Sequence, residues 1–217
     1  MLVSACGLGA QYPHFTAKQY RLEGTRTLPG TDLSGPATFY RDDERLRYEG
    51  ILESHGIATV VYDPLRKTAY LLDSSASRRR LFAGETPQRL AMQLSEADTP
   101  QPLEVTWAAL GAENVRSFGR CRVAGERGNL WRPRDPIAPD VERTACITPD
   151  GIVLRLTEND AVLFEATSVE RGPQAASLFE IPEAYRIISN AELAQLEDEA
   201  VGANAASAAT PQTRTPR

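Results

Sequence analysis

Residues 57–72 read IATVVYDPLRKTAYLL, a run that is typical of two β-strands joined by a tight turn. The charged and proline-containing residues 63–67 supply the turn, and the β-branched and aromatic residues on either side favour strands. A sheet with one face in water alternates apolar and polar residues along each strand. These two strands do not alternate. We therefore expect both faces to be covered, one by short helices and the other by sheet curvature or a bound molecule.

Further strands are expected on both sides of this pair. Turn signals at 42–44, 148–151 and 158–160 separate short runs of strand-forming residues. The predicted strands are 16–23, 37–41, 45–49, 57–62, 68–72, 115–123, 129–132, 143–148, 152–157 and 161–169. Strands joined this closely form an antiparallel meander. The predicted fold class is mainly β with an α-helical insertion.

The insertion is predicted between residues 86 and 110. Thr86-Pro87 is typical of a helix N-terminus, and Leu90 and Leu94 lie one turn apart before Pro100 ends the helix. A second short helix is indicated by apolar residues at i, i+4 and i+7 followed by glycine, namely Leu103, Trp107, Leu110 and Gly111.

Composition limits the classes of function. With 217 residues, 41% hydrophobic and 24% charged, the chain is typical of a globular protein with one domain of sizeable core or, at most, two small domains. The formal net charge of −5 implies no broad basic surface, so nucleic acid is not an expected partner. No apolar run approaches the roughly 20 residues that span a bilayer.

The three cysteines bear on location. Cys6 ends the string Val3-Ser4-Ala5-Cys6, which resembles a lipobox and predicts an acylated membrane anchor. Only five residues precede it, so most of an export signal is missing, and the alternative is an ordinary cysteine near the terminus. Cys121 and Cys146 remain as an even pair and are predicted to form a structural disulfide; the alternative, expected of a cytosolic protein, is two buried free thiols.

The ends of the chain differ from its centre. Residues 1–15 are predicted to be a signal remnant and tether, and 16–189 to be the folded domain. Residues 190–201 suggest a short acidic helix capped by Asn190. Residues 202–217 carry no large apolar side chain, which predicts disorder.

No pattern predicts an enzyme, a metal site or a cofactor. His14 and His55 are the only histidines, and neither has zinc-ligand spacing. The acidic turn at 42–44 lacks the alternating ligands of a calcium loop. Neither a serine nucleophile elbow nor a phosphate-binding glycine loop is present.

Three segments resemble a known family: ACITPDGIVLR at 145–155, VERGP at 169–173 and LFEIPEAY at 178–185. They are similar to uncharacterised envelope proteins related to the LolA/LolB lipoprotein carriers, over roughly residues 16–188. The resemblance implies a curved antiparallel sheet, an incomplete β-barrel covered by short helices, which encloses an apolar cavity for acyl chains. No catalytic residue is implied.

The resulting hypothesis is a lipoprotein of the bacterial envelope that faces the periplasm from the outer membrane and binds a lipid or acyl chain, in lipid or lipoprotein transport. The residues expected to line the ligand, beneath a lid at 86–110, are Tyr20, Leu22, Tyr48, Val60, Tyr62, Tyr70, Leu72, Leu90, Leu94 and Trp107. Strand aromatics are also typical of plain core. The alternative function is an assembly or sensing module that binds an envelope protein and carries no ligand.

One basic concentration accompanies these residues. Arg66 and Lys67 lie on a turn, and Arg78, Arg79 and Arg80 follow on a later segment. They are suited to anionic lipid headgroups or to an acidic partner. The alternative is a solvated loop tip.

Overall fold

The computed structural model describes residues 10–53, 56–65, 67–74, 89–95, 99–189, 191–192 and 195. Within them lie twelve strands, one α-helix, α1 (Leu103–Ala108), and two 3-10 turns at Ala112–Asn114 and Ala176–Phe179. The strands are β1 (Gln19–Thr27), β2 (Ser34–Asp42), β3 (Arg45–Leu52), β4 (Gly56–Asp63), β5 (Thr68–Ser74), β6 (Arg89–Gln93), β7 (Val115–Val123), β8 (Glu126–Pro133), β9 (Arg143–Ile147), β10 (Val153–Glu158), β11 (Ala161–Arg171) and β12 (Tyr185–Ile188).

All twelve strands belong to one open sheet in the order β12-β6-β5-β4-β3-β2-β1-β11-β10-β9-β8-β7. Two antiparallel meanders, β1–β6 and β7–β11, are joined where β1 pairs with β11. The parallel pairing of β12 with β6 departs from the expected all-antiparallel sheet. The mainly β prediction is confirmed, and the sheet ends at β12 and β7 without closing.

The tight turns follow from their residues. Asn159 and Asp160 both take positive φ, 47° and 65°, between β10 and β11. Two left-handed residues make the turn whose twist matches an antiparallel hairpin, and Asn and Asp adopt this conformation at low cost.

The first predicted helix is wrong. Residues 89–93 form β6, paired with β5 and β12, while 86–88 lie outside the described residues. Leu90 and Met92 pack in one core and Ala91 in another, so both faces are buried. A short run that is apolar on both faces suits a buried strand as well as a helix, and periodicity does not separate the two. The second helix is confirmed as α1, which buries Trp107.

The expectation that both sheet faces are covered is confirmed. One face, called here the cavity face, carries Val60, Ala69 and Leu71 in the main core. The opposite outer face carries Val61, Tyr70, Leu72 and Ala91 in a separate cluster, packed against Ile181 and Tyr185. The outer cover is therefore the segment that leads into β12, a strand that the sequence analysis missed.

Irregular pairing accompanies the curvature of the sheet. Register shifts interrupt five of the strand pairs, and such bulges bend and twist a strand. Gly24 lies beneath the Phe164 ring, where an added Cβ would come within 2.7 Å of two ring carbons. A glycine at this position allows an aromatic ring to close over the backbone.

A disulfide joins Cys121 on β7 to Cys146 on β9, in agreement with the predicted pair. Strand β8 lies between these two strands, yet the two Cα atoms are 6.0 Å apart. Gly128 on β8 pairs with Cys121, and an added Cβ there would lie 3.2 Å from the Cys121 sulfur. The absent side chain leaves the space that the bridge crosses.

The N-terminal segment does not behave as a tether over residues 12–15. Tyr12 packs edge-on against Trp131, with ring centroids 5.3 Å apart, and its hydroxyl donates to the Trp107 carbonyl at 3.3 Å. Phe15 joins the same cluster. Cys6, most of the 190–201 segment and the 202–217 tail lie outside the described residues. Among the helices of the described part, none is long and apolar enough to cross a membrane.

Candidate ligand-binding cavity

A cavity of about 720 Å³ lies between the cavity face of β1–β5 and the segment that leads from β6 into α1. Its walls include apolar, aromatic, hydroxyl and charged side chains. Ligand sites in proteins usually enclose roughly 300–1,000 Å³, so this volume is sufficient for a small amphiphilic molecule.

Strand register explains why one wall is continuous. Five residues lie directly opposite one another from strand to strand and all reach the cavity: Tyr20, Arg41, Leu46, Tyr62 and Ala69. Directly opposed residues share a face, so these side chains form a row across β1–β5. A second row, two residues further along the strands, contributes Phe39, Tyr48 and Val60.

A buried polar cluster connects the sheet to α1. The Tyr20 hydroxyl donates to Glu104 Oε1 at 2.5 Å, and Arg41 Nη1 donates to the same oxygen. The side chains of Arg41 and Glu104 are only 12% and 9% exposed. Glu104 lies in the first turn of α1, where a carboxylate is also favoured by the helix dipole. The cluster thus fixes the start of α1 against β1 and β2.

Burial and charge set the protonation states of this cluster. Burial raises the pKa of Tyr20 well above its usual range, and the neighbouring Glu104 carboxylate raises it further. Burial alone would lower the pKa of Arg41, but Glu104 outweighs it and the net pKa is raised. At neutral pH Tyr20 is therefore a neutral donor, and Arg41 keeps its charge.

The mouth of the cavity is formed by exposed residues. Lys67, Glu44 and Gln101 are exposed, and Val105 on α1 is 44% exposed. Arg47 also reaches the cavity but is occupied, since it pairs with Glu49 at 2.6 Å and donates to the Leu178 carbonyl at 2.9 Å. In the part of the chain that the structure describes, no acidic side chain pairs with Lys67.

The residues predicted to line a ligand divide into two groups. Tyr20, Tyr48, Val60, Tyr62 and Leu94 line the cavity. The other five lie elsewhere: Leu22 and Leu90 in the main core, Tyr70 and Leu72 on the outer face, and Trp107 in the cluster beneath α1.

Arg41 and Glu104 line the cavity but were not predicted from the sequence. Arg41 pairs with Tyr20 and follows Phe39 by two residues, so a strand register would have placed it on the cavity face. Nothing in the sequence joins it to Glu104, because the two residues are 63 positions apart.

Few of the other residues singled out from the sequence lie within the described part of the chain. Arg66, Arg78, Arg79, Arg80 and His55 lie outside the described residues. His14 is 3.0 Å from the Gln11 amide nitrogen near the N-terminus. Among the described residues, no group of three or more His, Cys, Asp or Glu side chains is arranged to hold a metal ion.

Comparisons with known proteins bear on the fold. No protein-family model and no curated protein matches the chain. An uncharacterized conserved protein from Thermus thermophilus has a similar structure, with a TM-score of 0.50 and 12% identity over 81% of this chain and 93% of that chain. A MucA/MucB complex structure from Pseudomonas aeruginosa gives a TM-score of 0.47 and 15% identity over 80% of this chain and 59% of that chain. The first similarity shows a shared fold, and the resemblance to LolA/LolB carriers stays a prediction.

Proposed function

We propose that this protein is a binding protein, not an enzyme, that holds the acyl chain of a lipid or lipoprotein in the cavity. The observation that carries the proposal is the cavity itself, about 720 Å³ with a wall of aromatic and aliphatic side chains. Apolar area removed from water stabilises such a complex by about 25 cal/mol per Å² before ordering costs.

The distribution of polarity in the cavity suits an amphiphile. Phe39, Tyr48 and Val60 form the second row of the wall, while Lys67 and Gln101 lie exposed at the mouth. An acyl chain would occupy the apolar wall, and a polar or anionic head would remain near Lys67. Arg41 would not bind the head directly, because Glu104 already engages it.

The hairpin between β4 and β5 supports exchange at a membrane. Leu65 at its tip is 94% exposed, and Lys67 two residues later lines the cavity mouth. An exposed leucine beside a cation suits the boundary between headgroups and acyl chains of an anionic surface. The ligand would then pass between membrane and cavity without crossing water.

The disulfide supports the proposed location. Structural disulfides persist in oxidising compartments such as the bacterial periplasm. We therefore propose that the protein faces the periplasm and is tethered to the envelope through acylated Cys6. The alternative function, a module that binds only a protein partner, would leave the cavity without a ligand.

The test compares two valines of similar exposure. Val105 lies at the cavity mouth and is 44% exposed, whereas Val162 on β11 is 40% exposed and does not line the cavity. We expect Val105→Glu to weaken binding of cis-parinaric acid about tenfold, because the new carboxylate would repel the carboxylate that the bound fatty acid leaves at the mouth near Lys67. Val162→Glu should bind like the unaltered protein. Fluorescence titration measures both.

Native mass spectrometry of protein purified without detergent complements the titration. A co-purified mass that fatty acid displaces supports the proposal. If both valine variants bind the probe equally, or if no saturable binding occurs, the cavity is not a lipid site and the protein-binding alternative is favoured.

A further inference from the structure

We propose that the open edge formed by β7 binds an extended acidic segment of a partner protein. This site is separate from the cavity, and its test does not depend on lipid binding. Three features of the β7–β8 hairpin support this proposal: its positive charge, its strand register and the unpaired outer edge of β7.

The β7–β8 hairpin is strongly basic in an acidic protein. Residues 115–134 contain six arginines and one acidic residue, although the whole chain carries a net charge of −5. The acidic residue, Glu126, is already paired with Arg171 at 2.7 Å. The exposed arginines of the hairpin strands are Arg116, Arg120, Arg122 and Arg127. No acidic side chain in the described part of the chain pairs with any of these four.

Register places like charges face to face. Arg122 lies directly opposite Arg127, and Arg116 lies directly opposite Arg132, of which only Arg132 has an acidic partner among the described residues, Glu142 at 3.9 Å. Like charges at directly opposed positions destabilise an antiparallel pair. The stability of the isolated fold therefore does not explain the arrangement, whereas an anionic partner would relieve the repulsion.

The outer edge of β7 is available for pairing. Strand β7 pairs with β8 on one side and ends the sheet on the other, within the described residues. A bulge at Phe118 interrupts the register, but residues 119–123 pair regularly with β8. The disulfide at Cys121 ties this regular part to β9, so the edge is held in position before a partner arrives.

The spacing of charge matches a strand. Arg120 and Arg122 are two residues apart on one face, a separation of about 7 Å along an extended chain. Carboxylates at alternate positions of an added strand have the same spacing, so main-chain hydrogen bonds and ion pairs would form together. Phe118 is 46% exposed, with the Arg132 guanidinium 5.2 Å from its ring centroid, and offers an apolar contact beside the charges.

Charged residues and bulges also protect edge strands from unspecific pairing. The same arginines can protect the β7 edge and still bind a specific partner. They repel a basic strand and lose hydration without compensation against a neutral strand, whereas an acidic strand forms ion pairs with them. An acidic polypeptide fits this edge better than an anionic membrane does, because a polypeptide can form main-chain hydrogen bonds with the outer edge of β7 and a lipid surface cannot add a strand to it.

The experiment uses the oxidised full-length protein and a fluorescent heptapeptide of alternating valine and glutamate. We expect saturable binding by fluorescence anisotropy, weakened about tenfold or more by Arg120→Glu/Arg122→Glu. The control, Lys18→Glu/Arg89→Glu, makes the same charge change at exposed positions away from β7 and should bind normally. A valine–lysine peptide should bind the Arg120→Glu/Arg122→Glu variant and not the unaltered protein.

Two comparisons separate strand addition from simple charge attraction. A heptapeptide with N-methyl groups at alternate residues keeps its charge but loses half of its backbone donors, and it should bind at least about tenfold more weakly. Equal binding of this peptide overturns the proposal. Failure of the acidic peptide to bind, while phosphatidylglycerol vesicles bind in a way that depends on Arg120 and Arg122, overturns it in favour of a lipid surface.

Discussion

Glu104 accepts hydrogen bonds from two side chains that lie on neighbouring strands, Tyr20 on β1 and Arg41 on β2. Burying an ion pair is costly, and such pairs are a weak source of net stability. Removing one partner is different, because the remaining charge is left buried without compensation. The cluster therefore acts mainly by fixing where α1 begins, and hence the position of the second cavity wall.

A mutant cycle tests this role. Arg41→Met should lower the free energy of unfolding by about 3 kcal/mol, since Glu104 loses its counter-charge. The triple variant Arg41→Met/Glu104→Leu/Tyr20→Phe should recover most of that loss, because it also removes the Tyr20 hydroxyl that would otherwise lose its buried acceptor. Chemical denaturation of the single and triple variants measures the coupling.

The control for this cycle is a more exposed ion pair. Arg155 and Glu165 are 2.5 Å apart on β10 and β11, with side chains 41% and 40% exposed. Exposed pairs contribute about 0–1 kcal/mol, so Arg155→Met should cost far less than Arg41→Met. Equal losses at both sites would show that the buried cluster has no special structural role.

Individual strands were largely predictable because turn residues mark their ends. The signals at 42–44 and 158–160 both lie between paired strands, and the predicted 115–123 strand has the bounds of β7. The failure at β6 has a physical cause, since short runs that are apolar on both faces fit two periodicities. Half of the predicted lining residues reach the cavity. Pairing register, which local patterns do not determine, decides which strand side chains reach it.

A substitution at Gly128 on β8 tests whether the disulfide needs the space left by this glycine. At Gly128 an added Cβ would lie 2.5 Å from the Ile147 carbonyl oxygen and 3.2 Å from the Cys121 sulfur. At Gly119 on β7 it would meet only a Leu130 methyl at 3.5 Å, an ordinary contact. We expect Gly128→Ala to leave free thiols at Cys121 and Cys146, while Gly119→Ala remains oxidised. Thiol titration of the unfolded proteins distinguishes them.

The free energy of unfolding should fall in the variant whose two cysteines remain reduced. The bridge closes a loop with a sequence separation of 25, for which the chain-entropy estimate is about 3–4 kcal/mol. Gly128→Ala should lose at least about that much unfolding free energy if the bond does not form, because the new Cβ also crowds the Ile147 carbonyl. A fully oxidised Gly128→Ala protein with unchanged stability would contradict the inferred close approach.

The whole molecule is organised by an open sheet that must be covered on both faces. The cavity face is closed by α1 and the segment leading into it, and the space left between them is the proposed ligand site. The outer face is closed by the segment containing Ile181 and Tyr185. The two covers come from distant parts of the chain, so loss of one should expose apolar surface without directly changing the other.

Removing the outer cover should therefore produce a distinct phenotype. Ile181→Ser/Tyr185→Ser uncovers Val61 and Tyr70, and we expect a loss of about 2–4 kcal/mol with increased binding of a hydrophobic dye at the outer face. Ile187→Ser changes a residue on β12 that is already 50% exposed and should have little effect. Thermal unfolding and dye fluorescence measure both variants, and parinaric acid titration reports the cavity separately.

If the double variant neither binds more dye nor unfolds more easily than Ile187→Ser, the outer face does not need its cover. If parinaric acid binding persists while dye binding rises, the two faces are closed independently.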